Sequence, residues 1–302
     1  MKNIMKLHLL LMALLFSCSI YSQNSLELTD LSQTQIRLME RYQNADSSTR
    51  KKVFADSVYT PYQEFWNGYL GNAEDVSSWM NDAMSLLPEW KLKNEAIDGK
   101  LLVKNFREVA EKMTQLTGHS PKGKWYIVYG PAWTDLGGLG DFAMLIDLAH
   151  QSNSSNERIL RMFPHELTHQ IMTNVNPHRD STAAGSIIGE GFAVWMNQKY
   201  WGKKYTLAEN LGYSEEELQF CDKNITALKQ FFVSSIYSTD EAIINVFRNR
   251  SDKLNEKLPG AIGYYFGYLI VEAYVKKFGP ESWKELFLKS PKEIYELSGF
   301  GN

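Results

Sequence analysis

The chain has 302 residues, 44% of them hydrophobic and 13% aromatic, enough apolar surface to bury a substantial core. Its formal net charge of -3 provides no basic field for nucleic acid or an anionic membrane, and nucleic-acid binding is set aside.

The first residues, MKNIMKLHLLLMALLFSCSIYSQ, run from charged through apolar to small and polar, the order of an export signal whose apolar run is too short to span a bilayer. Two processing readings compete. Ser22 and Gln23 suit an ordinary signal peptidase, whereas Leu15-Phe16-Ser17-Cys18 loosely resembles a lipoprotein box that would place a lipid anchor on Cys18; the bulk of Phe16 favours the first. Loss of residues 1–22 removes Lys2 and Lys6 and no acid, taking the charge from -3 to -5. It also leaves Cys221 without a partner for a disulfide, so that this cysteine is expected as a small core hydrophobe. The mature chain is expected to be exported (periplasmic, cell-envelope or secreted) and to have no transmembrane helix.

From Ser25 to about Gly118 apolar residues recur at three and four, as in Leu101, Leu102, Phe106, Val109 and Met113, which predicts several helices. The segment Trp125 to Tyr129, aromatic and β-branched between Pro121, Gly123 and Gly130, reads as a short strand, and Phe142 to Leu148 as a second. Ser154 and Glu157 resemble a capping box opening the next helix. Pro164 within that helix should bend or restart it. Further helices are expected over Ala183 to Tyr200, Ser214 to Ser235, Thr239 to Arg248, Ala261 to Phe278 and Pro280 to Lys289. The reading is an α+β protein, mostly helical, with a small mixed sheet preceding the helix of the motif below. Residues 1–22 form the leader and 23–120 a helical region; 121–302 hold the sheet, the motif helix and the C-terminal helices, in one compact unit with 23–120.

The stretch FPHELTHQIM, Phe163 to Met172, carries the most specific signal. Four residues on a helix amount to about 40° of rotation and roughly 6 Å of rise, so His165 and His169 can aim their imidazoles at one spot. Glu166 flanks that spot and can reach a metal-bound water. Two neutral imidazoles, one metal ion and an adjacent carboxylate are the components of a hydrolytic zinc site. A third ligand is offered by GSIIGEGFAVWM: Glu190 has Ile187, Ala193 and Val194 as helical neighbours, and a carboxylate on such an apolar face needs a metal or a cation. Gly189 and Gly191 each lower helix propensity by about 1 kcal/mol relative to Ala, which fits a helix that must approach another closely. Glu272 is a rival third ligand. His119, His150 and His178 read as surface residues.

HELTH at 165–169 with GEGFA at 189–193 resembles the gluzincin metallopeptidases, the thermolysin and zinc-aminopeptidase superfamily, and LPGAIGYYFGYLIVEAYVKKFG is similar to a helix of bacterial families described as predicted zinc-dependent proteases. The resemblance implies a zincin-like fold and one zinc ion on His165, His169 and Glu190. It further implies Glu166 as general base, an oxyanion donor from Tyr264, Tyr265 or Tyr268 with Tyr264 preferred, and the second strand as an edge that pairs with a peptide or protein substrate. Position 194 is Val where thermolysin-like enzymes carry an Asp, and the G-x-M-x-N string of aminopeptidases is missing, so an endopeptidase is expected over an aminopeptidase. The competing expectation is a non-catalytic zinc-binding or chaperone-like interaction protein of the cell envelope.

Overall fold

A continuous apolar strand is what a parallel sheet covered on both faces requires. In the computed structural model, which describes residues 26–139, 143–178 and 180–302, β1 (Leu26–Asp30), β2 (Gly123–Val128), β3 (Leu136–Gly138) and β4 (Ala143–Asp147) pair in the order β1-β2-β4-β3. β2 lies parallel to both β1 and β4, with Leu28 opposite Trp125 and Tyr126 opposite Leu145. β3 closes the other edge antiparallel to β4. Trp125, Ile127, Val128, Leu145 and Ile146 are fully buried. The sheet is thus mixed and small, and the protein is α+β as expected. β4 is an interior strand, however, so the expected peptide-pairing edge does not exist there. β1 falls within a stretch that reads as helical: LELTD alternates apolar and polar residues, but over too few positions to stand out from the helical spacing that follows, and its pairing with β2, far along the chain, settles its conformation.

The chain separates into two compact units. The first joins residues up to Val103 with Pro121–Asn156. The sheet therefore groups with the N-terminal helices, and the helix carrying HELTH belongs to the other unit. These N-terminal helices are α1 (Ser32–Arg41), α2 (Ser47–Phe54), α3 (Gln63–Tyr69), α4 (Ala73–Asp82) and α5 (Leu87–Ala96), with a π-helical turn at Ala55–Tyr59. Aromatic stacking ties helix to sheet, Phe65 on Tyr126 at 4.2 Å and Trp90 on Tyr129 at 4.7 Å between ring centres. At the end of β4 the fully buried Asp147 accepts hydrogen bonds from the Tyr69 hydroxyl at 2.6 Å and from the backbone N–H groups of Gly130, Ala132 and Ala149 at 2.8 Å. These bonds hold the turn in which Ala132 takes a positive φ of 59°.

The second unit comprises Lys104–Ser120 and Glu157–Asn302. α6 (Gly99–Thr117) supplies Phe106, which meets Phe163 of α7 (Asn156–Val175) edge to face at 4.1 Å. α7 continues through Pro164 without restarting. Phe163, Leu167 and Ile171 are fully buried along one face, as the spacing required. α8 (Ala183–Trp201) follows, then α9 (Leu207–Leu211), α10 (Glu215–Lys223), α11 (Ile225–Ser235) and α12 (Glu241–Arg248). The long helix expected over Ser214 to Ser235 is broken at Asn224, whose side chain donates to the Phe220 carbonyl at 2.8 Å. α13 (Gly263–Phe278) packs on α8 and is followed by a 3-10 segment, Ser282–Phe287, and by α14 (Pro291–Ser298). Cys221 is fully buried and its thiol is pushed up to about 12 by burial, first, and then by nearby acids. No helix among the described residues is long and apolar enough to cross a membrane.

Two glycines set the distance between α8 and α13. A Cβ on Gly191 would overlap the backbone of Gly267 and Tyr268, and one on Gly267 would overlap the Ile187 carbonyl and Gly191. Backbone meets backbone at this crossing, which only residues without a side chain allow. Gly191 thus fulfils the close approach read from the sequence, whereas a Cβ on Gly189 would meet nothing within 4 Å.

Candidate metal centre

α7 presents His165 and His169 on one face, and α8 brings Glu190 up to both. The Nε2 atoms of the two histidines are 3.2 Å apart, and each is 3.2 Å from Glu190 Oε2. The three atoms form a nearly equilateral triangle. Ligands placed tetrahedrally about 2.0–2.1 Å from a zinc ion are about 3.3 Å from each other, so the triangle has the dimensions of three such ligands with a fourth position open. Among the described residues this is the cluster of His, Cys, Asp and Glu side chains that could hold a metal ion. The donor set, two imidazoles and one carboxylate, suits a zinc-class divalent cation better than calcium or magnesium, which prefer all-oxygen shells.

Electrostatics point the same way. Burial lowers the His165 pKa and favours its neutral form, the form that binds a metal. Burial also opposes charge on His169, but the charge of Glu190, its hydrogen bond and the charge of Glu166 outweigh it and raise this histidine to about 9. Burial pushes the Glu190 carboxyl up, and the charge of His169 and the hydrogen bonds of both imidazoles hold it well below the usual range. Without a metal, the cluster therefore keeps a proton on His169 to balance Glu190. A divalent ion supplies that positive charge at the centre of the triangle.

Glu166 approaches to 4.0 Å from His165 Nε2, outside the triangle, as expected. Tyr264 of α13 lies nearly parallel to the His165 ring, 6.0 Å between centres and 6° between planes. Burial, first, and the charges of Glu190 and Glu166 push its phenol well above the usual range against the opposing charge of Arg250, which leaves it a neutral hydrogen-bond donor. Tyr265 turns away to donate to Asp222 at 2.6 Å, and Tyr268 donates to Glu272 at 3.5 Å. Glu272 is exposed and outside the cluster, which removes it as a rival ligand. His178 is exposed, while His119 and His150 are half-buried and also outside the cluster.

The sequence reading missed Arg250. It lies in a loop after α12 with no motif around it, and its guanidinium carbon sits 4.6 Å from the centre of the Tyr264 ring. A ligating imidazole of any metal site usually donates its second N–H to a partner; His165 Nδ1 is buried with none among the described residues, and Val194 is an ordinary core residue.

A family model described as "Gliding motility protein GldB" matches residues 151–302, half of the chain. The chain belongs to the GldB family. The match contains His165, Glu166, His169, Glu190, Arg250 and Tyr264, and leaves the sheet outside. No curated protein and no solved structure matches the chain.

Membership of the GldB family corrects the expected gluzincin membership. HELTH and GEGFA reproduce a ligand geometry, and such a geometry arises on unrelated chains whenever two helices bring the same side chains together. The expected hydrolase, a zinc metallopeptidase using Glu166 as general base on a peptide or protein substrate, is corrected with it, and an envelope role without turnover fits this family better. The family's lipoprotein designation agrees with a cell-envelope location. A lipid anchor is compatible with that designation; the two readings of the leader fall on residues outside the match and outside the described residues.

Proposed function

We propose that this protein is a metal-dependent interaction protein of the gliding machinery, held at the cell envelope by a lipid on Cys18. Its His165, His169 and Glu190 bind one zinc-class ion without turnover. The observation that carries this reading is the 3.2 Å triangle of ligand atoms. Such an ion would tie α7 to α8 and offer its open position to a ligand. Glu166 then contributes charge: with Glu190 it balances the two positive charges of the ion.

Metal analysis of the purified protein tests the first half: about one zinc per chain is expected, and none in His165→Ala. A metal-free, folded wild type that takes up no zinc on titration would refute it. The second half is tested in cells that lack the native gene. Glu166→Gln should hold zinc and restore gliding, while His165→Ala should not. A Glu166→Gln protein that holds zinc yet leaves cells immotile would show that the carboxylate does more than balance charge.

A further inference from the structure

Arg250 is held in place with unusual care for an exposed loop residue. Its guanidinium carbon lies 4.6 Å from the ring centre of Tyr264 and 5.6 Å from that of Tyr213. Gly212, at a positive φ of 69°, passes so close that an added Cβ would be 3.2 Å from Arg250 Nη2. A Cβ on Gly260 would overlap the Arg250 carbonyl. The loop is pinned beside it: Tyr213 donates to the Ala261 carbonyl at 2.8 Å, and the Ala261 N–H donates to Asn249 at 2.8 Å, with Ala261 at a φ of 56°. Strained backbone of this kind persists where the surroundings fix it and is concentrated at ligand sites.

No carboxylate among the described residues forms an ion pair with this guanidinium, which lies over the two aromatic rings. Its centre and the centre of the His165 ring are separated by at most 10.6 Å, the two ring distances through Tyr264 laid end to end. Arg250 thus holds a positive charge beside the cluster, where an anionic group seated at the open metal position would meet it.

Building on the metal-site reading above, we infer that the site binds a carboxylate ligand, one oxygen at the open metal position and the group held by the Arg250 guanidinium, with the Tyr264 hydroxyl as a further donor. Arginine suits this role because its planar fork matches a carboxylate bidentately. The ligand would be the free C-terminus of a peptide or an acidic side chain.

The test loads the full mature chain with cobalt(II), whose visible bands respond to a new ligand. It is then titrated with N-acetyl-Ala-Ala, its C-terminal amide, N-acetyl-Ala-Asp-amide and inorganic phosphate. At least one of the two carboxylate peptides should shift the bands and bind about 10- to 100-fold more tightly than the uncharged amide, the range expected of a charge-assisted pair. Which of the two binds better identifies chain end or side chain as the source. Arg250→Gln should hold the same amount of cobalt and lose that preference, and Arg250→Lys should recover part of it. Equal affinities for acid and amide, an unchanged preference in Arg250→Gln, or phosphate binding ahead of both peptides would overturn the inference while the metal site stands. Failure to take up cobalt would overturn both.

Discussion

Each unit of the molecule sets a carboxylate among apolar neighbours, Asp147 fully buried and Glu190 half-buried, and the two are treated oppositely. Asp147 is met by four fixed donors, a tyrosine hydroxyl and three backbone N–H groups. Its charge is consumed in holding a turn. Glu190 is met by two imidazoles that are also aimed at each other, so the balancing charge can be a proton or a metal ion. A buried acid whose partners are all fixed donors is structural, whereas one whose partners are titratable ligands sharing its target is a candidate site.

The contrast is broken most severely at Asp147. Asp147→Ala strands four donors, two of them buried and two half-buried, and should cost about 4 kcal/mol in denaturant unfolding, while zinc stoichiometry stays at the wild-type value wherever the variant is folded. Gly267→Ala attacks the other cluster through its scaffold, forcing α13 away from α8. A loss of about 3 kcal/mol is expected, together with weaker zinc binding in a competition titration, because the strain at the crossing is shared by α8, which carries Glu190. A stable Gly267→Ala with unaltered zinc affinity would mean that the crossing does not position Glu190.

The pH dependence is smaller and has a defined sign. In the metal-free protein His169 is raised from 6.5 to about 9, so its stabilising pairing with Glu190 is complete below about pH 6.5 and is lost as pH rises through about 9. About 2 kcal/mol should disappear between pH 6.5 and 9.5; His165, lowered by burial in the fold, contributes an opposite slope only at the acid end of this window, where the unfolded imidazole still titrates. His169→Gln should flatten the curve, and saturating zinc should remove the decline by replacing the proton. The gentlest test is Gly189→Ala. Its Cβ enters open space, so about 0.5–1 kcal/mol of stabilisation is expected from helix propensity alone, with zinc binding unchanged.

Local spacing was sufficient wherever the physics is local. The i,i+4 relation placed His165 and His169 on one face, the apolar neighbours of Glu190 marked it as an acid in need of a partner, and Trp125 to Tyr129 read as a strand, found at Gly123–Val128. Family and chemistry were not legible in the same residues, because HELTH reports how ligands point and is silent on what the surrounding protein does with the ion. The interior position of β4, the break at Asn224 and the strand LELTD depended on partners distant in sequence, and so did the grouping of the sheet with the N-terminal helices.

The sequence by itself determined the α+β composition and the two imidazoles with their flanking Glu166, since each follows from order along the chain or from helical periodicity. Tertiary structure alone decided that Glu190 closes the triangle to 3.2 Å, that Gly191 and Gly267 permit it, and that Arg250, sixty residues beyond Glu190, stands over Tyr264. Such contacts join side chains whose loops and helices meet only when the core has packed, and no pattern of neighbours along the chain encodes that distance.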